Sequence, residues 1–174
     1  MDDIILETIK TRRSIRNYKN DLPPAELLSK ITEAGLYAAS GMNRQSALIL
    51  EITDRALRDR LSAMNAKIMG REGTDPFYGA PAVFVVLGNR DFPTYLYDGS
   101  LAIGNMMLEA HALGLGSCWI HRAKEEFDSP DGKDILASLG IIGNYEGIGH
   151  LIVGYDDGDY PDAPERRDGR YFVK

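Results

Sequence analysis

Residues 95–121 read YLYDGSLAIGNMMLEAHALGLGSCWIH, and this stretch decides the fold. Tyr95 to Leu113 carries Leu101, Ala102, Ile103, Met106, Met107, Leu108, Ala110 and Ala112 with few charges between them. That is a long helix, apolar almost all round, and such a helix is buried at a protein's centre or at a subunit interface. Gly99 and Gly104 leave room on it for close backbone approach, and Gly114 is its expected stop, because glycine takes the left-handed conformation that ends helices. Ser117 to His121 then reads as a short strand. Gly114-Leu115-Gly116 becomes a helix-to-strand turn whose bare backbone lets a planar ligand come close.

Outward from there, the other elements follow by periodicity. Ala82 to Leu87 is a continuous apolar run, as expected of a strand buried on both faces. Ala47 to Thr53 reads as a strand. Asp54 caps a helix with the stripe Leu57, Leu61, Met64 and Ile68. Upstream, Asp2 or Asp3 caps a first helix that carries Ile5, Leu6 and Ile9 inward. Pro24 opens a second with Leu27, Ile31, Ala34 and Ala38 in line, ending near Ser40-Gly41. Gly70 to Pro81 is a loop. Downstream, Ile135, Leu136 and Leu139 mark another helix, and Gly149 to Val153 a last strand. The order predicts a mixed or partly parallel sheet with helices on both faces. Residues 156–174 form a polar tail without much apolar pattern, and Tyr171, Phe172 and Val173 near its end predict that something outside its own core holds it.

Composition narrows the function classes. The 174 residues suit one domain, 1–174, able to bury a core without disulfides. A net charge of −6 argues against non-specific binding to nucleic acid or to anionic membranes. The single cysteine, Cys118, fits a reducing compartment, and Met1-Asp2-Asp3 lacks the order of a signal peptide, so a cytoplasmic location is expected. No apolar stretch approaches the ~20 residues that span a bilayer. His111, His121 and His150 form no tight metal spacing, and His111 reads as a satisfied core histidine. Asp156-Asp157-Gly158-Asp159 lacks the length of a calcium loop and reads as a turn. There is no G-x-S-x-G elbow and no Walker A sequence, and Cys118 beside Trp119 reads as an inert core thiol.

Three segments remain for chemistry. Arg12-Arg13-Ser14-Ile15-Arg16 places three guanidiniums and a hydroxyl within five residues of an acidic chain, a fork of donors matched to phosphate oxygens. A solvated, basic helix end is the competing reading. Ala39 to Ser46 is rich in amides and hydroxyls, suited to a heterocycle edge or a sugar-like chain, or equally to a polar surface turn. Arg166-Arg167 is either a solvated charge run or a second phosphate clamp.

Taken in order, these segments resemble the nitroreductase family of FMN-dependent oxidoreductases. The resemblance rests on Arg12 to Arg16, Asn43-x-Gln45, Ala80-Pro81-Ala82-Val83, Gly114-Leu115-Gly116-Ser117-Cys118-Trp119-Ile120, Ile152-Val153-Gly154-Tyr155 and the C-terminal arginines. It implies an α+β sandwich, a mixed and mostly antiparallel central sheet flanked by helices, in a domain-exchanging homodimer with FMN at the interface. The apolar helix would then lie between subunits, and 156–174 would be an arm wrapping the partner. By the resemblance, Arg12 and Ser14 hold the FMN phosphate with Arg13 close by, and Arg16 reaches the ring near N1 and O2. Asn43 and Gln45 come from the other subunit. Backbone groups of Trp119, Ile120 and His121 lie near flavin N5, and Arg166 or Arg167 closes the phosphate site. The implied activity passes electrons from NADH or NADPH to nitro compounds, quinones or similar small acceptors by a ping-pong mechanism. The alternatives are a flavin-binding redox sensor or store without turnover, and a dimeric module with no flavin. The chain departs from the family pattern in having Ser46-Ala47 after the amide loop where Pro-Trp is common, in its shortness, and in His121-Arg122, where relatives often carry a small residue.

Overall fold

The computed structural model describes residues 3–158 and 160–174. In chain order the elements are α1 (Ile4–Thr11), α2 (Ala25–Leu36), a 3₁₀ turn (Gly41–Asn43), β1 (Ala47–Ile52), α3 (Arg55–Ile68), β2 (Ala82–Asn89), α4 (Tyr95–Ala112), β3 (Gly116–Ile120), α5 (Ala123–Asp128), α6 (Pro130–Ser138) and β4 (Tyr145–Gly154). The four strands stand in the order β1-β2-β4-β3, every neighbouring pair antiparallel. The expected parallel component shrinks to one isolated bridge, Ser14 with Ser117. The reason is topological: each strand lies beside one that runs back past it, and none is joined to a parallel neighbour by a crossover helix.

β2 shows why the sheet sits at the centre. Val83, Val85 and Leu87 face a core shared with Leu61, Phe77, Phe127 and Ile135 from the α3, α5 and α6 side. Ala82, Phe84 and Val86 face the other core, with Leu28 and Ile31 of α2 and Ile103 and Met106 of α4. Side chains alternate along a strand, so a continuous apolar run supplies both faces at once. Local signals set the helix ends as read from the sequence. Asp54 accepts from Leu57 N at 2.8 Å, Asp3 accepts from Leu6 N at 3.0 Å, and Gly114 closes α4 with φ +75°. Asp2, the alternative cap, and Asp159 lie outside the described residues.

Several expectations are corrected. Ile5, Leu6 and Ile9 do not point into the core: they are 73 %, 42 % and 51 % exposed, and α1 buries nothing. Ile31 is buried as expected and Leu27 and Ala38 pack against the same core, but Leu28 and Gly35 are the other fully buried positions of α2, and the helix stops at Leu36 rather than near Ser40-Gly41. Leu139 is exposed beyond the end of α6. α4 buries one face only, through Ala102, Ile103, Met106 and Ala110, and leaves Leu101 half exposed. Gly99 does meet Ile148, but a Cβ on Gly104 would lie within 4 Å of nothing beyond its own helix among the described residues. α5 went unread in the sequence because its six residues are too few to show a period. Among the described residues, no helix is long and apolar enough to cross a membrane.

Candidate functional site

The arginine run leaves its helix at once. Arg12 is the C-cap of α1, its N–H bonded to Thr8 O at 3.1 Å, and the chain beyond it is extended. Ile15 N donates to Ser117 O at 3.0 Å, and Lys19 N to Tyr155 O at 2.9 Å. Residues 14–19 therefore run along the open edge of β3 and the end of β4, where unpaired strand groups await partners. Ile15 is buried, and a Cβ on Gly116 would lie 3.0 Å from it. The bare backbone at Gly116 thus admits Ile15 of the same chain, while Gly114 opens on free space. The helix-end reading survives in part: Arg13 Nη1 donates to Lys10 O in the last turn of α1 and to Arg12 O, each at 2.7 Å, and Arg16 is exposed, whereas Arg12 is half-buried.

This arrangement strands polar atoms. Arg12 Nη1, Arg13 Nε and Ser117 Oγ are buried without a hydrogen-bond partner among the described residues. Buried donors are almost always satisfied, so an orphaned set beside the Ser14–Ser117 bridge points to a missing acceptor. Ser14, Arg16 and Asn17 line an open cleft of about 300 Å³ there, together with Asp156, Gly158 and Pro161. Beneath it, burial pushes the Cys118 thiol up, outweighing the Arg16 and Arg12 charges and the Ser14 hydroxyl that favour its thiolate. Cys118 is buried in the core, where the sequence placed it.

Tyr160, which the sequence did not single out, completes the corner. Its hydroxyl accepts from Arg13 N at 3.0 Å and donates to Thr11 O at 3.0 Å, and its ring stacks on His111 at 6.0 Å. His111 is half-buried at the end of α4 rather than in the core, with Nε2 2.8 Å from Thr11 Oγ1.

The amide loop is built by a buried acid. Asp98, in the first turn of α4, accepts from Gly41 N (3.0 Å), Ser46 Oγ (2.6 Å) and Thr94 Oγ1 (3.0 Å). Burial alone would raise its carboxyl; the Ser46, Gly41 and Thr94 donors outweigh that and hold it below the usual carboxylate value. The grip sustains three non-glycine residues in left-handed backbone, Met42, Asn43 and Gln45, each of which costs about 1 kcal/mol or more. Asn43 and Gln45 are exposed, and line a hollow with Leu36, Tyr37 and Ala38. Ser46, the departure from the family pattern, is thereby explained as an anchor on Asp98. An acid inside an apolar helix was the legible signal for this residue.

At the end of β3, Trp119 lies over Gly149, Ile120 is buried and His121 is exposed. Asn65 Nδ2 holds the His121 carbonyl at 2.8 Å, and Arg122 takes left-handed backbone with Nε on Asn65 Oδ1 at 3.1 Å. Below them Glu126 and His150 face each other at 3.2 Å, both fully buried.

One chain brings together Arg12, Arg13, Ser14 and Arg16, with Trp119, Ile120 and His121 further along the same strand. It does not bring in the rest. The amide loop sits at the start of α4 and the arginine run at its end. Asp98 to His111 spans 13 residues, or roughly 20 Å of helix. Arg166 and Arg167 lie in the exposed arm and make no hydrogen bond or ion pair among the described residues.

The fold and the site define a class: an α+β sandwich with guanidiniums and hydroxyls gathered at a corner of the sheet edge. Comparison with known proteins makes it particular. The model of the nitroreductase family matches residues 9–155. A candidate NADH dehydrogenase/NAD(P)H nitroreductase of Archaeoglobus fulgidus is 30% identical, over 92% of this chain and 91% of its own length. One of the same name from Methanothermobacter thermautotrophicus is 30% identical over 66% of this chain, and the match spans only 59% of that relative. A solved nitroreductase with bound FMN from Bacteroides fragilis superposes with a TM-score of 0.89 at 30% identity, covering 99% of this chain and 100% of that one. The chain belongs to the nitroreductase family.

Proposed function

We propose that this protein is an FMN-dependent oxidoreductase, working as a homodimer and passing electrons from NADH or NADPH to nitro compounds, quinones or similar small acceptors. The observation that carries it is the set of orphaned buried donors, Arg12 Nη1, Arg13 Nε and Ser117 Oγ, beside the Ser14 hydroxyl. A phosphate monoester fits that set, since each donor is then satisfied by an oxygen of matching charge. The solved relative with bound FMN supports the same choice.

When bound, FMN supplies a ring that accepts a hydride equivalent and passes electrons on, which explains why no acid–base pair is needed in the protein. The residues then divide the work. Arg12, Arg13 and Ser14 hold the phosphate. Arg16 offers positive charge toward the ring edge, and the backbone at Trp119 to His121 lies two to four residues on from Ser117, roughly 7 to 13 Å away. Asn43 and Gln45 would reach a ligand here only from a second copy, because α4 separates them from the arginine run within one chain. The exposed Ile4, Ile5 and Leu101 on α1 and α4 supply an apolar face for that copy, and residues 156–174 would wrap it, bringing Arg166 or Arg167 to the phosphate. Donor and acceptor would use one slot in turn.

The visible spectrum of the purified protein tests this directly. A yellow sample bleached by NADH or NADPH and recoloured by an acceptor is expected; a yellow sample that never bleaches indicates a flavin store, and a colourless one that ignores added FMN removes the proposal. Arg12→Ala is expected to weaken FMN binding by about 1.5–3 kcal/mol, the value of a charge-assisted hydrogen bond. Unchanged affinity in a fluorescence titration would refute the assigned role.

A further inference from the structure

The arginine run is not rigid by its own sequence. It follows a helix that buries nothing, and its residues 12 and 13 have no strand partner: the bridge to β3 begins only at Ser14. Local bonds hold part of it: Arg12 N donates to Thr8 O at 3.1 Å, and Arg13 Nη1 donates to Lys10 O and Arg12 O, each at 2.7 Å. A further contact on residues 11–13 comes from nearly the whole chain away. The Tyr160 hydroxyl, at the root of the C-terminal arm, uses both its roles there, accepting from Arg13 N and donating to Thr11 O, each at 3.0 Å. A phenol bridging a backbone donor and acceptor two residues apart sets the direction in which Arg12, between them, projects. His111 backs the phenol. Its ring stacks on Tyr160, its Nδ1 lies 3.2 Å from the hydroxyl, and its Nε2 meets Thr11 Oγ1 at 2.8 Å. Thr11 Oγ1 also donates to Glu7 O at 2.6 Å, tying the cluster to the last turn of α1.

We infer that Tyr160, backed by His111, is a positioning residue for the phosphate grip: it holds the backbone on either side of Arg12 so that this guanidinium meets the anion without first having to be ordered. The inference rests on the reading of the Arg12 to Ser14 corner as a phosphate site. It also gives the start of the arm a role within its own subunit, distinct from wrapping a partner. Burial, with Arg12 and Arg13 nearby, holds the His111 imidazole below its usual value.

A ligand pair separates this role from simple stability. FMN and riboflavin share the ring and the ribityl chain and differ in the phosphate. Each is titrated, by fluorescence, into the flavin-free full-length protein and its Tyr160→Phe and Arg12→Ala variants. Tyr160→Phe keeps the ring on His111 and loses only the hydroxyl of a residue that is exposed overall and outside both cores, so the fold survives. The expected result is an FMN affinity about tenfold lower with riboflavin affinity unchanged within about twofold, as for loss of one net hydrogen bond felt only by the phosphate. Equal weakening of both ligands, or no weakening of either, overturns the positioning role. The Arg12→Ala variant keeps the two failures apart. If it lowers the FMN-to-riboflavin ratio while Tyr160→Phe does not, only this inference falls. If Arg12→Ala leaves the ratio unchanged, the phosphate reading itself falls, and the inference with it.

Discussion

Replacing Asp98 by alanine should damage the amide loop more than any substitution within the loop. The carboxylate receives three donors, from Gly41 N, Ser46 Oγ and Thr94 Oγ1. Ser46 is buried, so its hydroxyl is left without a partner, at about 1–3 kcal/mol. Gly41 and Thr94 are half-buried and recover water, losing about 0.5–1.5 kcal/mol each. Relief from burying a charge returns part of this, and a net loss of about 3 kcal/mol is expected. The left-handed residues Met42, Asn43 and Gln45 then lose the support that sustains their strain. Urea unfolding gives the global figure, and hydrogen exchange at the Gly41 amide gives the local one. A loss below about 1 kcal/mol, or an unchanged Gly41 exchange rate, refutes the anchoring role. The sign with pH follows from the lowered carboxyl. Below the ordinary value of 3.8 the unfolded chain is protonated while the folded chain still resists it, so this contribution is complete above about pH 4 and is lost as pH falls further. Asp98→Asn should remove that part of the acid slope.

Two further outcomes concern the scaffold. Arg58 is 2 % exposed, lies over the Phe77 ring, and donates to Ala80 O and to Asp75 and Asp59. Arg58→Ala should cost about 3–5 kcal/mol in a urea melt, because it also leaves the Asp75 hub of the 70–81 loop short of its main partner; a cost under 1 kcal/mol would show that the loop is held elsewhere. Gly147 in β4 has the Ala123 carbonyl where a Cβ would go, so Gly147→Ala should cost more than about 2 kcal/mol and lower the melting temperature, while an unchanged melt would contradict the close approach of α5 to β4.

Much of the architecture was legible because it is written in local terms. The apolar run of β2, the Asp54 cap and the Gly114 stop are short-range signals, and each element they mark is present. The misreadings of burial on α1 and α4 share one physical source. An apolar stripe reports that a face avoids water but not what covers it, so Ile5, Leu6 and Ile9 were assigned to a core that this chain does not offer them. The same ambiguity covered α4, whose second face stays bare in the single chain.

The sequence by itself determined which residues can grip an anion: three guanidiniums and a hydroxyl in five positions suit a phosphate wherever they lie. Tertiary structure decided that this run leaves its helix and follows the open edge of β3, with Ser117 and Tyr160 brought in from positions roughly 100 and 150 residues away. It also decided that Asn43 and Gln45 belong to the far end of α4. Spacing along the chain carries no record of such distances, because they are set by which strand edge remains unpaired and by the length of one helix.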